Sequence, residues 1–395
     1  MTEFNLILLL LLRGANAVQQ PVLQHLITVT PTATLFSSNS VHSEQQSKSR
    51  KTQDDFPVDV VFTWVEEPRK GSDTWAEIKK SCGTVDMQRY RDYGTLHASL
   101  LALQAFIPWV RKVFIVTAGE VPCGTEHFSI PIEIVTHKQI FPESRQEIDL
   151  PTHNSLALET HLHRIPGLAE HFIFFDDDMF IGRPLSKSFF FTEDGKAVYY
   201  TMEIVGELMS QSVKTDSPVV GDLMFQSAKT DSLFADQCSA TAQFETKHQA
   251  NPFRKSAIAE MQRQHQAFFD ALSGQRCRAP GEWGSNLQND PFWIYMCYHE
   301  RHGYSVLNKS VANVALLRNT NLKHSQAWYA EVLAQRPSKF CINDDFDKVE
   351  GPALHHQKEA LAEFLCRYTR SMPNFENILR ACPSQNSCSE ISYED

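Results

Sequence analysis

HFIFFDDDMFIG, His171 to Gly182, is the stretch whose reading decides this chain. Its opening run, His171 to Phe175, is aromatic and branched without a polar alternation, which suits a strand covered on both faces. Asp176, Asp177 and Asp178 follow at once. Carboxylates at the end of a buried strand must be solvated, paired or bound to a cation, because an isolated buried charge is expensive. Continued strand geometry would turn Asp176 and Asp178 to one side and Asp177 to the other. Two aligned carboxylates there can hold a hard divalent ion. An isolated acidic triplet is more often a solvated turn or a helix cap. The flanking sequence reverses that balance.

Upstream, VDVVFTWV (Val58–Val65), VRKVFIVTAG (Val110–Gly119) and IEIVTH (Ile132–His137) have strand composition. Between the first two, Asp92 is placed to cap a helix with Leu96, Leu100, Leu103 and Ile107 as its apolar positions. Asn154 to Ile165 reads as another helix, stopped by Pro166-Gly167. Strands alternating with helices imply an α/β domain: a Rossmann-like, mostly parallel sheet flanked by helices. Ligands in such sheets sit outside the carboxyl ends of the strands, which gathers Thr63-Trp64-Val65, the segment Val116 to Gly119 and the acidic triplet.

Downstream, residues 203–250 are polar and carry a small echo, QSVKTDS (Gln211–Ser217) and QSAKTDS (Gln226–Ser232), which reads as an insertion or flap. Helices are expected from Pro252 to about Leu272, and over 284–304, 321–335 and 355–370, so residues 251–380 form a C-terminal helical lobe completing the α/β half at 57–202. A tail, 381–395, follows.

At 395 residues the chain can bury a large core, and 42% apolar with 21% charged residues is the composition of a globular protein. A net charge of -10 argues against a nucleic-acid partner. The leucine-rich start with Ala15-Asn16-Ala17 is too short to span a bilayer and reads as a signal peptide, 1–17, with an uncleaved anchor as the alternative. Residues 18–56 have the composition of a disordered stem. Nine cysteines without zinc spacing suggest disulfides in an oxidising lumen, with Cys382–Cys388 as one pairing and at least one thiol left over. Asn308-Lys309-Ser310 is a glycosylation sequon that agrees with this topology. The expected location is the secretory lumen, with the Golgi first and secretion as the alternative.

Two long segments carry a resemblance. Arg89 to Pro122 and Leu150 to Pro184 closely resemble the second conserved region of the Stealth family of hexose-1-phosphate transferases, which includes bacterial capsule polymerases. VDVVFTWV is similar to the first region, KHQANPFRKS (Lys247–Ser256) with RCRAPGEW (Arg276–Trp283) to the third, and KFCINDD (Lys339–Asp345) to the fourth. The resemblance implies transfer of a sugar 1-phosphate from a UDP-sugar to a hydroxyl of a glycan or glycoprotein acceptor. It implies Mg²⁺ or Mn²⁺ on Asp176, Asp177 and Asp178, with catalytic roles for His248, Arg278, Asp344 and Asp178. Arg276 stands in reserve for Arg278. Substrate contacts are expected from Trp64, Glu66, Asp73, Arg91, Asn154 and Asn343. The first region departs from the family pattern: Glu66 to Lys70 splits it from Gly71-Ser72-Asp73, leaving Glu66 and Asp73 as alternatives for one acidic role. Trp64 is equally suited to stacking on uracil and to the core. His161 and His163, two apart on a helix, would point about 200° away from each other, so one site cannot use both. The competing readings are a lumenal DxD-type glycosyltransferase that passes on sugar without phosphate, and a non-catalytic sugar-binding member of the family.

Overall fold

In the computed structural model, the described residues are 56–201, 249–278, 291–311, 314–318, 321–344, 346 and 351–382. The signal, nearly all of the stem, the polar insertion up to His248 and the tail from 383 lie outside them.

The chain enters through β1 (Val58–Thr63), every residue of which is buried. Helix α1 (Asp73–Cys82) follows, capped by Ser72, whose Oγ accepts from the Trp75 amide at 3.2 Å. Helix α2 (Thr95–Phe106) is buried over nearly its whole length. Asp92 serves its start as the sequence suggests: Oδ1 accepts from the Gly94 and Thr95 amides at 2.8 and 3.1 Å. Then come β2 (Lys112–Thr117), β3 (Ile132–Thr136) and the short helices α3 (His137–Ile140), α4 (Glu143–Asp149) and α5 (Ser155–Glu159). Strand β4 (His171–Asp176) leads to β5 (Met179–Ile181), α6 (Lys187–Phe190) and β6 (Ala197–Thr201). Beyond the insertion are β7 (Asn251–Arg254), α7 (Lys255–Gln264), α8 (Gln266–Ser273), α9 (Pro291–Arg301), β8 (Ser305–Val311) and β9 (Val314–Arg318). The chain closes with α10 (Leu322–Gln335), β10 (Lys339–Asn343), α11 (Pro352–Thr369) and α12 (Phe375–Ala381).

The main sheet has the order β3-β2-β1-β4-β7, parallel except for the antiparallel edge strand β7. Its register sets Thr63 beside both Val116 and Asp176, so the carboxyl ends of the three central strands are level. Phe172, Ile173, Phe174 and Phe175 are at most 2% exposed, which is why this strand is written without polar alternation. Burying one such phenylalanine contributes about 2–3 kcal/mol. At the opposite end of the sheet, fully buried Asp59 is neutralised by Arg111 through two hydrogen bonds of 2.8 and 2.6 Å and accepts from the Ala169 amide.

A second sheet, β5-β10-β9, fixes what the first presents. Phe340 and Phe180 are cross-strand partners and stack at 4.7 Å. Around them pack Trp328 from α10, Phe364 and Tyr368 from α11, and Leu101 from α2. Ser99 donates to the Met179 carbonyl at 2.6 Å and Tyr368 to that of Ile181 at 2.6 Å, so β5 is tied to both covering helices. The third sheet pairs β6 with β8 in parallel.

Several expectations need correction. The strand ends at Asp176 and a turn takes over at Asp177 and Asp178, so strand alternation does not extend across the triplet. Helix α5 stops at Glu159, and His161 and His163 occupy a separate tight turn region, both buried. The cause is local: Thr160 Oγ1 donates to the Ala157 carbonyl, and His161 Nε2 bonds the Ser273 hydroxyl at 2.7 Å. Residues 252–254, expected to open a helix, belong to β7 instead. The C-terminal lobe is largely helical but also supplies strands to all three sheets. Cys382 pairs with Cys123 rather than Cys388, and Cys82 pairs with Cys277. Among the described residues no helix is long and apolar enough to cross a membrane.

Candidate functional site

The two-residue turn between β4 and β5 lies where the main sheet hands the chain to the second sheet. Asp176, the last residue of β4, accepts from Thr63 Oγ1 at 2.9 Å, which ties the ends of β4 and β1 together. The Asp178 carbonyl accepts from the Ile342 amide at 3.1 Å, so β10 holds the turn from the other side. Strand β10 thereby delivers Cys341, buried Asn343 and, just past its end, Asp344. Arg91 grips Asp344 through both nitrogens, Nε to Oδ2 at 2.5 Å and Nη2 to Oδ1 at 3.0 Å. The two side chains are only 12% and 14% exposed, a geometry in which a planar fork is worth more than a point charge.

Carboxylates crowd this turn. Removal from water is the main cause that pushes Asp177 well above the usual range, with Asp178, Asp92 and Asp176 adding to it. Asp178 is pushed up to about 8, first by burial and then by Asp176, while a hydrogen bond from Cys341 works the other way. Burial, followed by the nearby acids, drives the Cys341 thiol well above its ordinary value. Asp178 Oδ1 is buried and has no hydrogen-bond partner. A buried carboxylate oxygen left this way costs about 1–3 kcal/mol, a penalty that a bound cation removes. Acidic oxygens without a soft ligand set suit Mg²⁺ or Mn²⁺, so the donor set fits the ion implied by the sequence.

The sequence candidates do not all gather at this turn. Asp176, Asp177, Asp178, Asp344, Arg91 and Asn343 converge here. Trp64 adjoins them, but it is 6% exposed and its indole N–H donates to Asp92 at 2.9 Å, a structural position in the core. Asn154 spends its amide on local structure, Oδ1 capping α5 at the Leu156 amide and Nδ2 donating to the Gln275 carbonyl at 2.8 Å. Arg278 donates to the Ser155 hydroxyl at 2.9 Å beside the Cys82–Cys277 disulfide, and its Nε is buried without a partner. Arg276 Nε donates to the Pro151 carbonyl. Glu66 is exposed, and Asp73 is the exposed first residue of α1, where its charge favours the helix start. His248 lies outside the described residues.

Sequence reasoning gathered Thr63 with the triplet without giving it the Asp176 contact, and it did not single out Cys341. The signal for Cys341 was available, since period two in β10 sets it on one face with Asn343. His97, Cys123 and Cys382 also converge, with ligand atoms within 4.8 Å. The two sulfurs are bonded to each other, so this is a disulfide beside a histidine and no cation site.

The comparisons agree with this arrangement. A family model described as Stealth protein conserved region 2 matches residues 89–199, which contain Arg91 and the whole acidic turn. Capsular polysaccharide phosphotransferase LcbA of Aeromonas hydrophila is 30% identical over 305 residues, 73% of this chain and 79% of that protein. The chain belongs to the Stealth family. Stealth proteins of this kind are sugar-phosphate transferases, and the acidic turn falls in the family's second region. Capsular polysaccharide phosphotransferase fcs1 of Haemophilus influenzae is 28% identical over 303 residues, 73% of this chain and 78% of that one. The solved galactosyltransferase LgtC, in complex with donor and acceptor sugar analogues, aligns over 81% of this chain and 100% of its own at 10% identity and a TM-score of 0.37. That likeness is too distant to bear on the site.

Proposed function

We propose that this Stealth protein transfers a hexose 1-phosphate, such as N-acetylglucosamine 1-phosphate, from a UDP-sugar to a hydroxyl of a glycan or glycoprotein acceptor. The acceptor oxygen bonds to the β-phosphorus, the bond from that phosphorus to the bridging oxygen breaks, and UMP leaves. The observation that carries this reading is the convergence of Asp176, Asp177, Asp178 and Asp344 on one turn, with a buried Asp178 oxygen lacking any partner, in a member of this family.

Asp176 and Asp178 would hold Mg²⁺ or Mn²⁺, with Asp177 beside them. When bound, such an ion neutralises diphosphate charge and polarises the phosphoryl oxygens. Thr63 fixes the rotamer of Asp176, and Arg91 fixes Asp344 at the rim of the turn. Pairing with Asp344 also keeps the Arg91 cation close to where phosphate oxygens would lie. His248, assigned from the third-region resemblance, takes the acceptor proton, a role suited to a group that titrates near neutrality. Arg278 holds phosphate oxygens in the same assignment.

A lumenal, oxidising location, the Golgi first, is supported by the Cys82–Cys277 and Cys123–Cys382 disulfides. Imaging the full chain against Golgi and cytosolic markers tests this, and a cytosolic pattern would defeat it.

The deciding experiment incubates purified protein with UDP-sugars, glycan acceptors and Mn²⁺, and identifies the nucleotide product. UMP is expected. UDP would mean that the anomeric carbon is attacked and the phosphate stays behind, which overturns the proposal. Asp178→Ala should remove turnover while the protein still melts cooperatively.

A further inference from the structure

Asn308-Lys309-Ser310 is the one Asn-x-Ser/Thr triplet in the 395 residues, and the fold places it where a bulky group can stand. It lies in β8, which among the described residues pairs with β6 alone, so one edge of β8 carries no strand there. Side chains along β8 alternate as strand geometry requires. Leu307 packs against the main core, whereas Val306, 36% exposed, and Asn308, also exposed, face away from it.

Their partners in β6 are covered. Val198 and Tyr200, opposite Val306 and Asn308, are buried against Phe189 of α6, whose ring stacks on Tyr200 at 4.6 Å. The cover stops at β6 and leaves the β8 half of the same face open. The register also changes here: Tyr200 pairs with Asn308, but the next residue, Thr201, pairs with Val311. Lys309 and Ser310 fall between those pairs, so the triplet coincides with a bulge in the ladder. A modified asparagine must keep its glycan outside the packed core, and Asn308 meets that condition. An open strand edge beside an apolar side chain is otherwise a template for pairing with another chain.

We propose that Asn308 is N-glycosylated and that the glycan shields the open edge of β8. The co-reactant is an oligosaccharide carried on a lipid diphosphate. Asn308 Nδ2 bonds to the anomeric carbon, the bond from that carbon to the phosphate oxygen breaks, the lipid diphosphate leaves with the electron pair, and the amide gives up one proton. The hydrated oligosaccharide then covers Val306 and blocks approach along the strand. This rests on the lumenal reading and is independent of the sugar-phosphate chemistry.

The test expresses the full chain in insect cells, treats intact microsomes with protease, and analyses the protected or secreted chain with and without peptide-N-glycosidase. Mass spectrometry of the peptide containing Asn308 reads the site directly. Wild type should lose one mobility step on glycosidase treatment. Asn308→Gln and Ser310→Ala should run at the deglycosylated position from the start, and Ser310→Thr should keep the shift. If a variant fails to fold, the wild-type glycopeptide decides. By sedimentation at equal concentration, Asn308→Gln should self-associate about twofold or more beyond wild type, and equal association overturns the shielding role. A protected or secreted chain with unmodified Asn308 overturns the glycosylation and leaves the lumenal reading standing. A chain that the protease digests in intact microsomes overturns both.

Discussion

Asp178→Asn should make the metal-free protein more stable while removing its response to metal. The substitution keeps the shape and deletes the charge. In the fold the carboxyl sits at about 8 against an unfolded value near 4, which at about 1.4 kcal/mol per tenfold change bounds the cost of ionising it at about 6 kcal/mol. Partial exposure and water screening reduce that bound, to about 2–3 kcal/mol. The sign follows from proton affinity: the folded carboxyl binds its proton more tightly than the unfolded one. Its contribution is therefore complete below about pH 4 and is lost as pH climbs toward 8. At pH 7.5 with chelator, the variant should melt about 5 °C above wild type. The gap should narrow at pH 5 and close near pH 4. Mn²⁺ at about 100 times its Kd should stabilise wild type by about 2.7 kcal/mol and leave the variant unmoved. Scanning calorimetry at these pH values, with and without Mn²⁺, reads all of it. A variant that melts below wild type at pH 7.5 and gains equally from Mn²⁺ would refute the reasoning.

Arg91→Met takes the guanidinium fork from Asp344, which keeps the Phe346 amide on Oδ1 but loses this cation among the other acids, so urea unfolding should show a loss of about 3 kcal/mol. Gly182→Ala drives a methyl group into the Pro337 carbonyl oxygen, a backbone atom that cannot step aside; expression in soluble form should fall sharply, and a wild-type melting curve would show the contact to be looser than described. Removing the cross-link between residues 195 apart with Cys82→Ser and Cys277→Ser together should cost about 2–4 kcal/mol by guanidinium titration.

The parallel strands were legible because a strand covered on both faces leaves no room for polar alternation: β1, β2, β3 and β4 each coincide with an apolar run. Asp92 was legible as a cap because the helix pattern beginning after it has no other nearby acceptor at its start. Strand β5 was not. Its three residues continue the apolar run of β4, and its partner β10 lies far along the chain, so no local pattern encodes their pairing. The chemistry followed the same division. Asp176 to Asp178 announce themselves as a triplet, whereas the Ile342 amide that braces Asp178 is in place only once β10 is laid beside β5. Asn154 was read through the family, but its side chain is consumed by α5 and the Gln275 carbonyl.

The antiparallel pairing of β5 with β10 has a consequence for synthesis. A ribosome can extrude the acidic turn, and the main sheet can begin to form around it, long before residues 339–343 exist. Until they emerge, Asp344 is not there to meet Arg91 and β10 does not brace Asp178, so the acidic site is incomplete. The geometry of the acidic turn would thus be completed late and all at once, when the final strand slides into place.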